Sequence, residues 1–253
     1  MFKKFIYLEW KAFTRSASFA TNLGLKILML FVAIYFAVIF LALGIGAFYI
    51  IKKMNLEPLA TVNKFLIYYF LFDLVFRLLL QKIPVMNIRP LLVLPFKKPI
   101  IVHFSLGKTI LSFFNYGHAF FFLPFTVVLI IEGYDVLSVL LWHLAMFSLI
   151  YINNFLNILL NNKDKLFAIF IGIVLMLGGC QYYKFFDVTN YTSVFFEGLF
   201  HTKWMFLIPV LVLIALYYIT FNYFKNNLYL DAGLAAKQEI AKTEDLTWLN
   251  QFG

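Results

Sequence analysis

The sequence holds one cysteine, Cys180, so no intrachain disulfide can form and the fold must hold without covalent staples. Charge is also scarce. Asp, Glu, Lys and Arg make up 13% of the 253 residues, against roughly a quarter in a soluble domain. Acidic residues are the rarer sign, 12 against 21 basic, and the spans contain no acidic cluster suited to diphosphate chemistry. Metal-ligand spacing is missing as well. His103, His118, His143 and His201 lie far apart in sequence and form no H-E-x-x-H motif. The spans hold no Ser-x-Gly nucleophile motif, and the chain shows no internal repeat and no low-complexity tract beyond a general richness in Phe, Leu and Ile.

What the chain has instead is long apolar runs. Apolar residues are 63% of the sequence and aromatic ones 21%. Crossing a hydrocarbon core takes about 20 helical residues. Six stretches meet that requirement, at 27–51, 62–80, 109–131, 136–160, 166–184 and 204–224. They predict an all-α integral membrane protein of six transmembrane helices, a single transmembrane domain over 1–253. Basic residues favour the cytoplasmic side of short loops. With the N-terminus inside, fifteen Lys and Arg fall on that side, five fall outside and Arg77 lies within a span, which predicts N-in/C-in topology. The formal charge of +9 then reads as topology and attraction to anionic lipid, with no nucleic-acid partner. Basic and polar residues continue to Lys26 before the first long run, so no cleavable signal peptide is expected. Asn190-Tyr191-Thr192 fits a glycosylation sequon, a pattern common by chance.

The segments between spans differ in character. Residues 1–22 place Phe2, Phe5, Trp10 and Phe13 on one helical face, with Lys3, Lys4, Lys11 and Arg15 largely elsewhere. This is the pattern of an interfacial amphipathic helix. The loop 81–108 carries Pro84, Pro90, Pro95 and Pro99, so it is not one continuous helix. It is nevertheless strongly apolar, and such a loop must bury itself against membrane, bundle or partner. Pro99 suits the first turn of a short helix reaching about Phe104. The aromatic segment 185–203 reads as a re-entrant or interfacial element with Val194, Phe195, Leu199 and Phe200 on one face. Residues 225–253 read as a cytoplasmic tail or a linker.

Polar residues inside spans are costly and therefore informative. Asp73 and Arg77 stand four apart on span two, as a structural pair or a pathway gate. Asn153, Asn157 and Asn161 repeat at four-residue spacing on span four, beside Asn154. That stripe faces other helices, for packing or for contact with a transported molecule. An autonomous membrane enzyme would instead need Asp73, His118 and His143 around one cavity, and a membrane scaffold would need neither stripe nor path.

Gly107-Lys108-Thr109 matches the tail of a nucleotide-binding loop, but Val102 stands where the first glycine is required and no buried strand precedes it. A different resemblance fits. Leu94-Pro95, Lys97-Lys98, the apolar stretch Ile100 to Phe104, and Gly107-Lys108 resemble, in that order, the loop between the second and third helices of ABC-2-type transporter permeases. The opening "FIYLEWKAFTRSASF" resembles an uncharacterised permease family of Bacteroidota whose members carry a second membrane half. The resemblance implies a permease subunit in a bacterial cytoplasmic membrane, exporting, and paired as a homodimer or with a second half. It implies a coupling helix docked on a separate ATPase subunit, with Lys97, Lys98 and Lys108 flanking the contact and Phe96, Ile100 and Phe104 filling it. No cofactor would bind this chain directly, and ATP with Mg would sit on the partner. The departure is Pro99, where the pattern has an ordinary helix former.

Overall fold

The structure is a computed structural model describing residues 6–7, 11, 23–81, 97–160 and 164–244. Among the described residues from 23 onward, eight helices follow one another: α1 (Leu23–Lys53), α2 (Pro58–Leu80), α3 (Lys98–Ile110), α4 (Phe113–Ile131), α5 (Val136–Leu160), α6 (Asp164–Tyr182), α7 (Val188–His201) and α8 (Leu207–Glu244). No strand occurs among the described residues. Six helices contain a segment long and apolar enough to cross a membrane: Leu30–Lys53, Pro58–Leu80, Phe113–Ile131, Val136–Leu160, Lys165–Tyr182 and Leu207–Asn227. The chain is a multi-pass membrane protein.

Helix ends follow local chemistry. Glu57 caps α2 by accepting from the Ala60 N–H, and Pro58 takes the first helical position, where its missing N–H costs nothing. Ser112 caps α4 through Phe114 N at 3.3 Å. The third span therefore starts at Phe113 rather than 109, because a turn at Leu111 separates it from α3. The turn from α4 to α5 passes through Gly133 at φ +93°, a conformation that favours glycine. Asp187 caps α7, accepting from Thr189 N and Asn190 N at 3.1 and 3.3 Å. Hydrogen bonding from the Thr189 side chain, first, holds this carboxyl below its ordinary range.

Helix α5 is the hub, packing against α2, α3, α4, α7 and α8. Trp142, Ala145, Met146 and Ile150 on α5 are fully buried, against Leu66 and Phe70 of α2, Phe122 and Phe125 of α4, and Phe196 and Leu199 of α7. Lipid is as apolar as these side chains, so close packing and interhelical hydrogen bonds, rather than flight from water, hold the bundle together. Trp142 donates to Asn63 at 2.9 Å from within this core. A second cluster joins α3, α5 and α8 through Ile101, Val102, Leu106, Phe155, Ile158 and Phe224.

Helix α7, within the predicted outer segment, packs on α2 and α5. Its inward residues are Val188, Thr189, Phe196 and Leu199, whereas Val194 is 70% exposed, so the expected face was partly misplaced. Beyond the last span α8 continues unbroken to Glu244, in place of a separate tail element. Of the interfacial segment, Ile6, Tyr7 and Lys11 are helical, with Lys11 Nζ 4.8 Å from the Tyr7 ring centroid. Lys3, Lys4, Trp10 and Arg15 lie outside the described residues.

Candidate functional site

Asp73 and Arg77 of α2 and Gln81, its C-cap, form a polar stripe, each four residues from the next. That spacing puts them on one helix face over about 12 Å of rise. All three are buried, Arg77 completely. A buried charge must be paired and its remaining hydrogen-bonding groups satisfied, and the neighbouring helices supply the partners. Arg77 Nε donates to both carboxylate oxygens of Asp73 at 2.9 and 2.8 Å. Arg77 Nη1 donates to Asn115 Oδ1 at 2.9 Å and Gln81 Oε1 at 3.2 Å, and Nη2 to the Phe114 carbonyl at 2.8 Å. Asn153 Nδ2 donates to Asp73 Oδ2 at 2.9 Å and to the Phe70 carbonyl at 2.8 Å.

His118 closes the set. Its Nε2 lies 2.9 Å from Asp73 Oδ1 and 3.3 Å from Arg77 Nη2, and its Nδ1 bonds the Tyr69 hydroxyl. The carboxylate is the closer and stronger partner, so Nε2 carries the proton and donates to Asp73. Nδ1 then accepts from Tyr69. The Asp73 and Arg77 charges thus face one another inside the bundle.

The network continues from Gln81 towards α3. Gln81 Nε2 donates to Asn154 Oδ1 at 3.0 Å, and Asn154 Nδ2 donates to Thr109 Oγ1 at 3.0 Å. Asn115 Nδ2 donates to the Thr109 and Ile110 carbonyls at 2.9 and 3.1 Å. These are among the last carbonyls of α3, which have no partner inside their own helix. The same amide that accepts from Arg77 therefore caps the C-terminal end of α3. A displacement of α3 cannot leave the buried ion pair undisturbed.

Of the sequence-predicted pathway residues, Asp73, Arg77, Asn153 and Asn154 converge here, while Asn157 has no hydrogen bond to the network. Gln81, Asn115, Thr109 and Tyr69 also belong to it and were missed in the sequence, where only the position of Gln81, four residues beyond Arg77, carried a signal. A cleft of about 380 Å³ opens between α2, α5 and α7, lined by Phe70, Phe195 and Phe196 with Thr192 and Asn153 as polar members. Asn153 thus separates the cleft from Asp73. His143 bonds Thr126 Oγ1 at 2.7 Å and sits ten residues from Asn153 along α5, about 15 Å of rise. His103 bonds the Tyr217 hydroxyl at 2.6 Å. Among the described residues, no three His, Cys, Asp or Glu side chains come together to hold a metal.

On the predicted coupling element, Lys97 and Lys98 are exposed at the start of α3 and Ile100 is half-buried. The helix is longer than expected, Lys98–Ile110, with Pro99 in its first turn, and it contains Gly107-Lys108-Thr109 as ordinary helical residues. Phe104 is buried at 8% exposure, so it does not offer a docking surface, and Lys108 is partly covered. Phe96 lies outside the described residues. At the opposite end of the bundle Lys52 pairs with Glu132, and this bond is the main cause holding the Glu132 carboxyl below its ordinary value.

No curated protein and no solved structure matches the chain significantly. Residues 9–253 match DUF5687, described as a family of unknown function, and the chain belongs to that family.

Proposed function

We propose that the chain is the membrane-spanning subunit of an ATP-driven exporter of the ABC-2 type, on which a separate cytoplasmic ATPase acts through α3. The observation that carries this reading is the attachment of α3. It is a distinct helix between the second and third spans, exposed at its Lys97–Lys98 start and bonded at its other end through Asn115 and Asn154 to the Arg77 network. Force applied at the exposed end reaches a buried ion pair on α2 that is hydrogen-bonded to α4, the helices that would have to shift for a path to open. The loop's residue order supports the same reading, as does the excess of basic residues, which favours a cytoplasmic side for α3 and both termini.

In this account ATP and Mg bind the partner, and closure of its two ATPase domains is transmitted as a displacement of α3. The docking surface is the first turn of α3, Lys97, Lys98 and Ile100, rather than the inward-facing Phe104. The path forms against a second copy or a second permease half. The Asn153 cleft, next to Asp73, is the part of this chain best placed to meet a transported molecule.

The Lys97→Glu/Lys98→Glu double substitution tests the proposal. Tagged wild-type chain purified in mild detergent is expected to bring down ATPase activity, and the double variant to lose at least nine-tenths of it with unchanged size-exclusion behaviour. A well-folded wild type that brings down no ATPase counts against the reading.

A further inference from the structure

The cleft between α2, α5 and α7 is selective in its polarity, although most of its lining is apolar. Phe70, Phe196 and Asn153 are buried and form its floor. Tyr191, 67% exposed and stacked on Phe186 with ring centroids 4.5 Å apart, forms its rim. Phe70 stands at the middle of the second span, so the floor lies within the hydrocarbon layer. The volume of about 380 Å³ falls among small-molecule sites, which run from roughly 300 to 1,000 Å³. No lining side chain is charged.

Asn153 decides what the floor presents. Its amide nitrogen meets the Phe70 carbonyl and the Asp73 carboxylate, at 2.8 and 2.9 Å, and both of these can only accept. The amide orientation is therefore fixed, with its N–H groups taken up by α2. The oxygen remains for the cleft. Oδ1 accepts from no described residue and, unlike the Asn157 amide, is not fully enclosed. Thr192 on α7 is committed in the same way. Its one hydroxyl proton points to the Val188 and Thr189 carbonyls, at 2.9 and 3.4 Å, which leaves lone pairs. Two helices thus bring acceptors to one cleft, and among the lining side chains only the rim hydroxyl of Tyr191 can donate.

We infer that this cleft binds an uncharged, lipid-like molecule whose apolar body carries an O–H or N–H donor. The body lies among Phe70, Leu149 and Phe195, and the donor bonds Asn153 Oδ1. Other chemistries fit worse. An anion would meet acceptors, with the Asp73 carboxylate behind Asn153 and Arg77 already bonded to it. A cation would lose its hydration to a lining without an acidic side chain. A plain hydrocarbon would leave Oδ1 without a partner in a dry site. The amide that receives the ligand's donor also donates to Asp73, so an occupant is one hydrogen bond from the ion pair. That the occupant is the transported molecule rests on the proposed exporter function, whereas the site itself does not.

Photolabelling tests this on the full chain in lipid nanodiscs, with no ATPase present. The probe is a diazirine-bearing long-chain alcohol, and labelled residues are mapped by mass spectrometry. The competitors are dodecanol, its methyl ether, laurate and dodecyltrimethylammonium. Labels are expected around Phe70, Leu149 and Phe195, with dodecanol competing about tenfold better than the other three, or more. Asn153→Leu is expected to bring dodecanol and the ether to parity. If that variant does not fold, since it also removes a bond to Asp73, Thr192→Trp fills the cleft from α7 and is expected to lose the labelling. Labels as heavy at Leu175, exposed on α6, as in the cleft overturn the inference. So does equal competition by dodecanol and the ether in wild type, or better competition by laurate or the cation. Alcohol-selective labelling of a chain that brings down no ATPase keeps the site and ends the transport reading, and the reverse pair of results ends the site alone.

Discussion

Arg77→Ala is expected to leave almost no folded protein. The guanidinium is fully buried and donates to Asp73, Asn115, Gln81 and the Phe114 carbonyl. Truncation strands the Asp73 carboxylate inside the bundle with only Asn153 and His118 against it. Removing one partner of a buried pair costs about 3–5 kcal/mol, a large part of the roughly 5–15 kcal/mol that holds a native protein together. The Asn115 amide, left without Arg77, would also hold the end of α3 less firmly. The double change Asp73→Leu/Arg77→Met removes both charges and is expected to recover most of the folded yield, because the desolvation cost disappears along with the pair. Fluorescence-detected size exclusion of the two variants beside wild type reads this directly. An Arg77→Ala protein as abundant and monodisperse as wild type would mean that the network is not what holds α2 to α4.

The second large effect is at Gly44. Here α1 approaches α4 so closely that a Cβ on Gly44 would lie 2.4 Å from the Phe121 carbonyl oxygen and 2.6 Å from Pro124 Cγ. Neither can retreat easily, since one is backbone and the other a ring inside a helix. Phe48, one turn along, is the other residue that anchors α1, packing on Phe125 and Tyr134 with ring centroids 6.5 and 6.2 Å away. Most of the remaining α1 side chains face outward, Phe31 and Ile50 among them. Gly44→Val is therefore expected to lift α1 from the bundle, costing about 3 kcal/mol or more, the upper end of ordinary overpacking. Gly44→Ala is expected to act in the same direction, more weakly. Gly46→Ala is the control. Its Cβ would meet only Ile50 Cδ1 at 3.9 Å, so it is expected to be neutral or slightly stabilising, as alanine favours helix. Thermal unfolding of the three variants decides the matter, and equal Tm for Gly44→Val and Gly46→Ala would refute the close contact.

Much of the architecture was legible because crossing a bilayer leaves a strong mark on sequence. The six apolar runs fell where six of the helices fall, and the Asp73–Arg77 spacing announced a pair that the structure builds. The failures have physical causes. Asn115 and Thr109 looked like ordinary residues at a span boundary, since nothing local says that a side-chain amide will reach back to cap the preceding helix. The turn at Leu111, followed by the Ser112 cap, moves the start of the third span from 109 to 113. Phe104 was expected to face a partner. An amphipathic helix beside a membrane bundle shows that one face is buried but not what covers it; Phe104 is buried, while α5 and α8 cover Ile101, Val102 and Leu106. On α7 the aromatic residues are nearly continuous, so periodicity could not separate the outward Val194 from the inward Phe196. Of the asparagine stripe on α5, Asn153 and Asn154 join the ion-pair network, Asn157 is buried without a bond to it, and Asn161 lies outside the described residues.

The most direct test of the central claim replaces Lys98 with a photocrosslinking amino acid in the full chain, irradiates intact cells, and identifies the adducts by mass spectrometry. The same probe at Leu175, exposed on α6, serves as the control. The account predicts a crosslink from position 98 to a nucleotide-binding ATPase and none from position 175. Adducts at position 98 to lipid alone, with the protein folded and abundant, would contradict it.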